Sequence, residues 1–179
     1  MLRDIKRVPR SAGVLVWTAG AIAMYAVVPY ELSRLGARAR PQRSAAPPAA
    51  RAAGLLTVAA GAAIMGWALS AHYQAAPRGW ALDSRLTPGY LLRRGPYRFS
   101  RNPMYAGEAF VWLGWALFYR RPALWAGLAI ECAAATVITR WEEQQLLTRF
   151  GPDYRAYQRE VPRWIPALRT AQRPGDHCH

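Results

Sequence analysis

Gly95-Pro96-Tyr97-Arg98-Phe99-Ser100-Arg101-Asn102-Pro103-Met104-Tyr105 sits where a basic, turn-rich loop meets an apolar run. Asn102-Pro103 reads as a helix start. Asn is a favoured N-cap, and Pro suits the first helical position because its missing N–H has no intrahelical partner there. Such a start leaves backbone N–H groups and the positive end of the helix dipole facing outward, a seat for a carboxylate or phosphate. Arg98 and Arg101 add positive charge, and Tyr97 and Tyr105 add aromatic faces. Taken alone, the stretch is equally a capped helix at a membrane surface.

From Pro103 the chain stays apolar to Tyr119. A second apolar run, Pro122 to Thr139, follows the tight turn Arg120-Arg121-Pro122. These two runs read as an antiparallel helical hairpin, 103–139. Upstream, 12–30 and 52–73 each approach the roughly 20 residues that a helix needs to cross the hydrocarbon. Between them, 34–51 holds Pro41, Pro47, Pro48 and five arginines, and reads as a loop. Gly61, Ala62 and Gly66 in the second span either admit a close helix neighbour or simply fill an Ala-rich helix. Residues 74–102 form a polar loop too long for a simple connector, which marks it as functional. The fold class expected is an all-α integral membrane protein with about four transmembrane helices and a C-terminal cytoplasmic helical segment. The basic residues 1–11 and the long apolar run behind them read as an anchor instead of a cleaved signal.

The net charge is +14, and only one of the 24 basic residues is Lys. Mean hydropathy is near zero because arginine is so abundant. The basic residues flank apolar spans instead of forming the face of a soluble domain, so anionic lipid headgroups, not nucleic acid, are the partner of this charge. With four spans, 17 basic residues fall on the side of the two termini and the 74–102 loop, and 7 on the other. That imbalance places both termini in the cytoplasm, with a bacterial inner membrane as the expected location. Cys132 in a span and Cys178 near the end imply no disulfide framework. His177-Cys178-His179 has metal-ligand chemistry, but three terminal residues rarely build a specific site, and no metal is expected.

A second block lies downstream: Trp141-Glu142-Glu143-Gln144-Gln145-Leu146-Leu147, then Phe150-Gly151-Pro152-Asp153-Tyr154-Arg155-Ala156-Tyr157, then Val161-Pro162-Arg163-Trp164-Ile165-Pro166. Together, Gly-Pro-Tyr-Arg-x-x-Arg-Asn-Pro-Met-Tyr and this block resemble the membrane methyltransferases related to isoprenylcysteine carboxyl methyltransferase and the phospholipid N-methyltransferases. The resemblance covers about residues 87–166. It implies an N-terminal anchor and basic loop at 1–51 and a methyltransferase core at 52–167. Within that core lie a cofactor loop at 87–105, the hairpin, and a C-terminal helix at 140–160. Residues 168–179 are a tail.

The same resemblance implies S-adenosyl-L-methionine as methyl donor and a lipophilic small molecule or lipidated group as acceptor. Methyl transfer from a sulfonium is an in-line displacement, so the protein's tasks are alignment and exclusion of water. The donor's carboxylate suits the Asn102-Pro103 helix start, with Arg101 beside it. Glu142 or Glu143 suits its ammonium or ribose hydroxyls. Adjacent helical positions point about 100° apart, so one Glu of the pair is expected to touch the cofactor, and Glu142 is favoured. Tyr97 or Tyr105 suits the sulfonium or adenine. By family analogy, Tyr90, Leu91 and Leu92 line the cofactor through their backbone.

On the acceptor side, Glu108 lies inside an apolar span about 9 Å along the helix from its start, where a charge is costly and usually functional. Glu131 reads as paired with a neighbouring helix or protonated. Trp112 and Trp115 read as packing or as the lining of a lipid channel. The carboxyl methyltransferases usually carry His where this chain has Asn102. Their eukaryotic members also place Arg one turn before the acidic pair, where this chain has Ile138. Arg140, on another face, and Arg163 are the substitutes for that carboxylate-binding role. Two alternatives stay open: a lipid N-methyltransferase of the phosphatidylethanolamine type, and a sterol-type reductase using Arg93-Arg94 for NADPH or a non-catalytic membrane protein.

Overall fold

A computed structural model describes residues 19–39, 46–75 and 90–164. Residues 12–18 of the first expected span, 40–45 of the first basic loop, Gly89, and the tail with His177-Cys178-His179 lie outside the described residues. Among those described there is no strand. A π-helical turn, Ala23–Val27, leads into α1, Val28–Ala39. α2 spans Pro48–Ala75, a 3-10 turn covers Gly95–Arg98, α3 is Pro103–Tyr119 and α4 is Pro122–Glu160. α2 and α4 are long and apolar enough to cross a membrane. α3, with 17 residues, is about 25 Å long at 1.5 Å per residue.

The π-helical turn has a local cause. Pro29 has no N–H to give to the Tyr25 carbonyl in the α-helical pattern. Val28 instead donates to Ala23, five residues back. The indole Nε1 of Trp115 on α3 donates to the Tyr25 carbonyl at 2.6 Å. The N-terminal helix is thereby pinned to α3.

α2 and α3 pack through glycines. A Cβ on Gly61 would stand 2.5 Å from the Gly107 carbonyl oxygen, and one on Gly54 would stand 2.7 Å from that of Gly114. The reciprocal contacts are as tight: 2.8 Å from Gly107 to the Gly61 carbonyl and 2.6 Å from Gly114 to that of Gly54. Both pairs advance by seven residues in opposite senses, so the two backbones run antiparallel in direct contact. Without a hydrophobic force between helices in lipid, this closeness is what lets dispersion hold them. Of the three residues in question, Gly61 makes this contact, whereas nothing lies within 4 Å of a Cβ at Gly66 and Ala62 is exposed. On α4, Gly127 lies under the ring of Trp112. Large apolar side chains on the outer faces, among them Leu56, Ile130 and Val137, are exposed, as lipid contact requires.

α4 carries one break. Gly151 has φ 49° and ψ −117°, a left-handed backbone open to glycine, and Pro152 starts the next helical segment. The break turns residues 152–160 back on the bundle. Tyr154 and Tyr157, three residues apart, are buried there among Leu91, Leu146, Leu147, Phe150 and Val161. This is the end of the molecule where both sequence blocks meet.

Candidate active site

Four segments converge at that end: the C-terminal turn of α2, residues 90–102, the start of α3, and α4 with the strap Val161–Trp164. The strap is fixed by its backbone. Arg101 N–H donates to the Pro162 carbonyl at 3.0 Å. The Arg163 carbonyl accepts from Ser100 Oγ at 3.0 Å and from Asn102 Nδ2 at 3.1 Å. Tyr157 Oη donates to the Tyr97 carbonyl at 2.7 Å. Two blocks separated by about 60 residues thus close on each other through main-chain bonds.

Asn102 departs from the expected cap. α3 does begin at Pro103, but Asn102 makes no side-chain cap bond; its φ of −130° and ψ of 53° point the amide elsewhere. The physical reason is competition: its Nδ2 is taken by the Arg163 carbonyl. Asn102 is buried instead of facing outward. The first-turn N–H groups of α3 are left without a capping side chain.

The two glutamates have separate partners. Glu143, 4% exposed, receives Arg163 Nε at 3.1 Å and Nη2 at 2.7 Å. Arg101 Nη2 stands 3.4 Å away, and Gln158 Nε2 donates at 3.3 Å. The Glu143 carboxylate raises the Arg163 pKa further above its ordinary value, chiefly by hydrogen bonding. Arg163, expected to meet a substrate carboxylate, is engaged by this internal one. Glu142 is half-buried and accepts from Tyr105 Oη at 2.8 Å. Its Oε2 takes no hydrogen bond among the described residues. Arg140 is exposed, as is Ile138.

Inside the bundle Glu108 is buried, close enough to Tyr25, Glu131 and Glu142 to interact with them electrostatically. Tyr105 precedes Glu108 by three residues on the same helix, so the Glu142–Tyr105 pair and the Glu108 cluster lie one above the other.

Leu92 is buried, and Leu91 packs on the tyrosine cluster. Burial, reinforced by the charges of neighbouring groups including Glu142, pushes the Tyr97 phenol up, so it stays protonated. The histidine at the end of α2 was not legible as a site residue. His72 Nε2 lies 2.8 Å from Tyr97 Oη, and Nδ1 lies 3.0 Å from Tyr90 Oη. A lone His at the polar end of an apolar run carries no signal of partners 18 and 25 residues away.

A family model, phospholipid methyltransferase, matches residues 49–153. The chain belongs to the phospholipid methyltransferase family. No curated protein and no solved structure matches it. The match runs from the start of α2 through the Gly151 break, so it covers the glycine-packed helices, Tyr105 and both glutamates. As a phospholipid methyltransferase family member with apolar spans, the chain is a membrane methyltransferase acting on lipid.

Proposed function

We propose that the protein transfers a methyl group from S-adenosyl-L-methionine to the amine of a membrane lipid, at the cytoplasmic face. The residues suit such a donor. Glu142 keeps one carboxylate oxygen without a hydrogen bond among the described residues, in position for an ammonium. The uncapped first turn of α3 complements a carboxylate. When bound, that donor supplies an electrophilic methyl group, and no metal is needed.

The chain's own part is to bind, orient and exclude water. Tyr105 holds Glu142 in one rotamer through its hydroxyl. Tyr97, anchored at its carbonyl by Tyr157, supplies an aromatic wall. The strap and the 100–102 segment close the site against bulk water through three bonds.

The observation that favours an amine over a carboxylate acceptor is the bidentate Arg163–Glu143 pair. It occupies the cation that a substrate carboxylate needs. Glu108, Glu131 and Glu142 instead make the neighbouring interior acidic, which suits a cationic headgroup. An ammonium must lose a proton before it attacks.

The test is methyl transfer from labelled donor to vesicles of phosphatidylethanolamine and, in parallel, to a prenylcysteine carboxylate. Labelled lipid amine supports the reading. Label in the carboxylate alone overturns the acceptor, and label in neither overturns both.

A further inference from the structure

The hydroxyl of Tyr90 sits 3.0 Å from Nδ1 of His72 and also donates to the His72 carbonyl at 3.2 Å. A phenol has one proton to give. With that proton given to the carbonyl, Tyr90 Oη accepts from Nδ1–H. The ring then carries its proton on Nδ1, and bare Nε2 accepts from Tyr97 Oη at 2.8 Å. In this arrangement the imidazole is neutral, with both nitrogens used. Its ring meets Tyr97 edge to face, with centroids 5.1 Å apart.

Those two tyrosines bracket the segment that enters the site. Tyr97 is held at its other end by Tyr157 on α4, at 2.7 Å. A continuous chain thus runs from α2 through His72 and Tyr97 to α4. Between α2 and the 90–97 segment, the bonds at His72 are the side-chain hydrogen bonds among the described residues, while Arg93 Nη2 also donates to Glu160 Oε2 at the end of α4.

We propose that His72 is a positioning residue for the donor site: as its neutral Nδ1–H tautomer it fixes Tyr90 and Tyr97, and so holds segment 90–97 against α2 and α4. This rests on the donor reading above. His72 touches neither donor nor acceptor; it sets where the aromatic wall stands. Gln at this position keeps one donor and one acceptor on a planar group, whereas Phe keeps the ring and loses both bonds.

The experiment uses the full-length chain in detergent with His177→Ala and His179→Ala, so that one imidazole remains. Long-range proton–nitrogen correlation reads its tautomer directly. A protonated Nδ1 with bare Nε2 supports the proposal, and the opposite tautomer overturns it. Calorimetry with S-adenosyl-L-methionine then compares parent, His72→Phe and His72→Gln. Losing the imidazole bonds to two half-buried phenols, with Tyr90 keeping only the carbonyl of residue 72, is expected to weaken donor binding by about tenfold or more in H72F. H72Q is expected to stay within about threefold of the parent. Donor KM rises in H72F while kcat changes little. H72F binding as the parent does overturns the proposal, and so does H72Q binding as weakly as H72F. If H72F does not fold, the tautomer and H72Q decide. A folded parent that binds no donor overturns the donor reading and this role with it, whatever the tautomer.

Discussion

Tyr105 Oη donates to Glu142 Oε1 at 2.8 Å, joining the first turn of α3 to the middle of α4 across 37 residues. The bond crosses between the two sequence blocks and leaves the carboxylate anchored on one side and open on the other. Neighbouring Glu143 is held by two arginines. Adjacent glutamates in the same helix thereby carry opposite consequences on substitution.

Glu142→Gln removes the charge but leaves the Tyr105 bond geometry available. The expected result is a folded protein with donor affinity reduced by about tenfold or more, since charge-assisted bonds contribute roughly 1.5–3 kcal/mol. Tyr105→Phe is expected to lower affinity less, by freeing the carboxylate to rotate. Calorimetry in detergent, beside a melting curve, measures both. Parent-like affinity in E142Q removes the ammonium-binding role.

Glu143→Gln is expected to act on stability first. It leaves the largely buried Arg101 guanidinium and the partly exposed Arg163 guanidinium without their counter-charge. Breaking one partner of a buried pair costs about 3–5 kcal/mol. A melting midpoint unchanged from the parent contradicts this account of the cluster.

Gly61→Ala and Gly107→Ala place a Cβ against backbone, at 2.5 Å and 2.8 Å from the facing carbonyl oxygens. Neither backbone can move aside without separating α2 from α3. Each is expected to destabilise by about 1–3 kcal/mol or more, as overpacking does. Gly66→Ala meets nothing within 4 Å and serves as the control. Thermal aggregation of the three variants in detergent ranks them.

An amine acceptor sets the sign of a pH profile. The attacking form is the free base, and an alkylammonium loses its proton near pH 10. Below that pKa the rate with saturating donor is expected to rise about tenfold per pH unit, and to level off above it. A carboxylate acceptor is ionised throughout and gives no such rise. A flat profile from pH 7 to 9 with phosphatidylethanolamine vesicles contradicts proton loss before attack.

The apolar runs and their proline and arginine punctuation determined the helical, membrane-embedded class, because burial in lipid needs length and hydropathy, and both are local. The start of α3 at Pro103 was legible for the same reason: it depends on the backbone chemistry of one or two residues. What the tertiary structure alone decided is which polar groups meet. Asn102 gave its amide to the Arg163 carbonyl instead of its own helix, because the strap arrived there. Arg163 paired with Glu143, leaving Glu142 to Tyr105. His72 found two phenols in a loop far along the chain. Hydrophobic period is written in neighbouring residues, whereas a hydrogen-bond partner is chosen among whatever groups packing brings within about 3 Å.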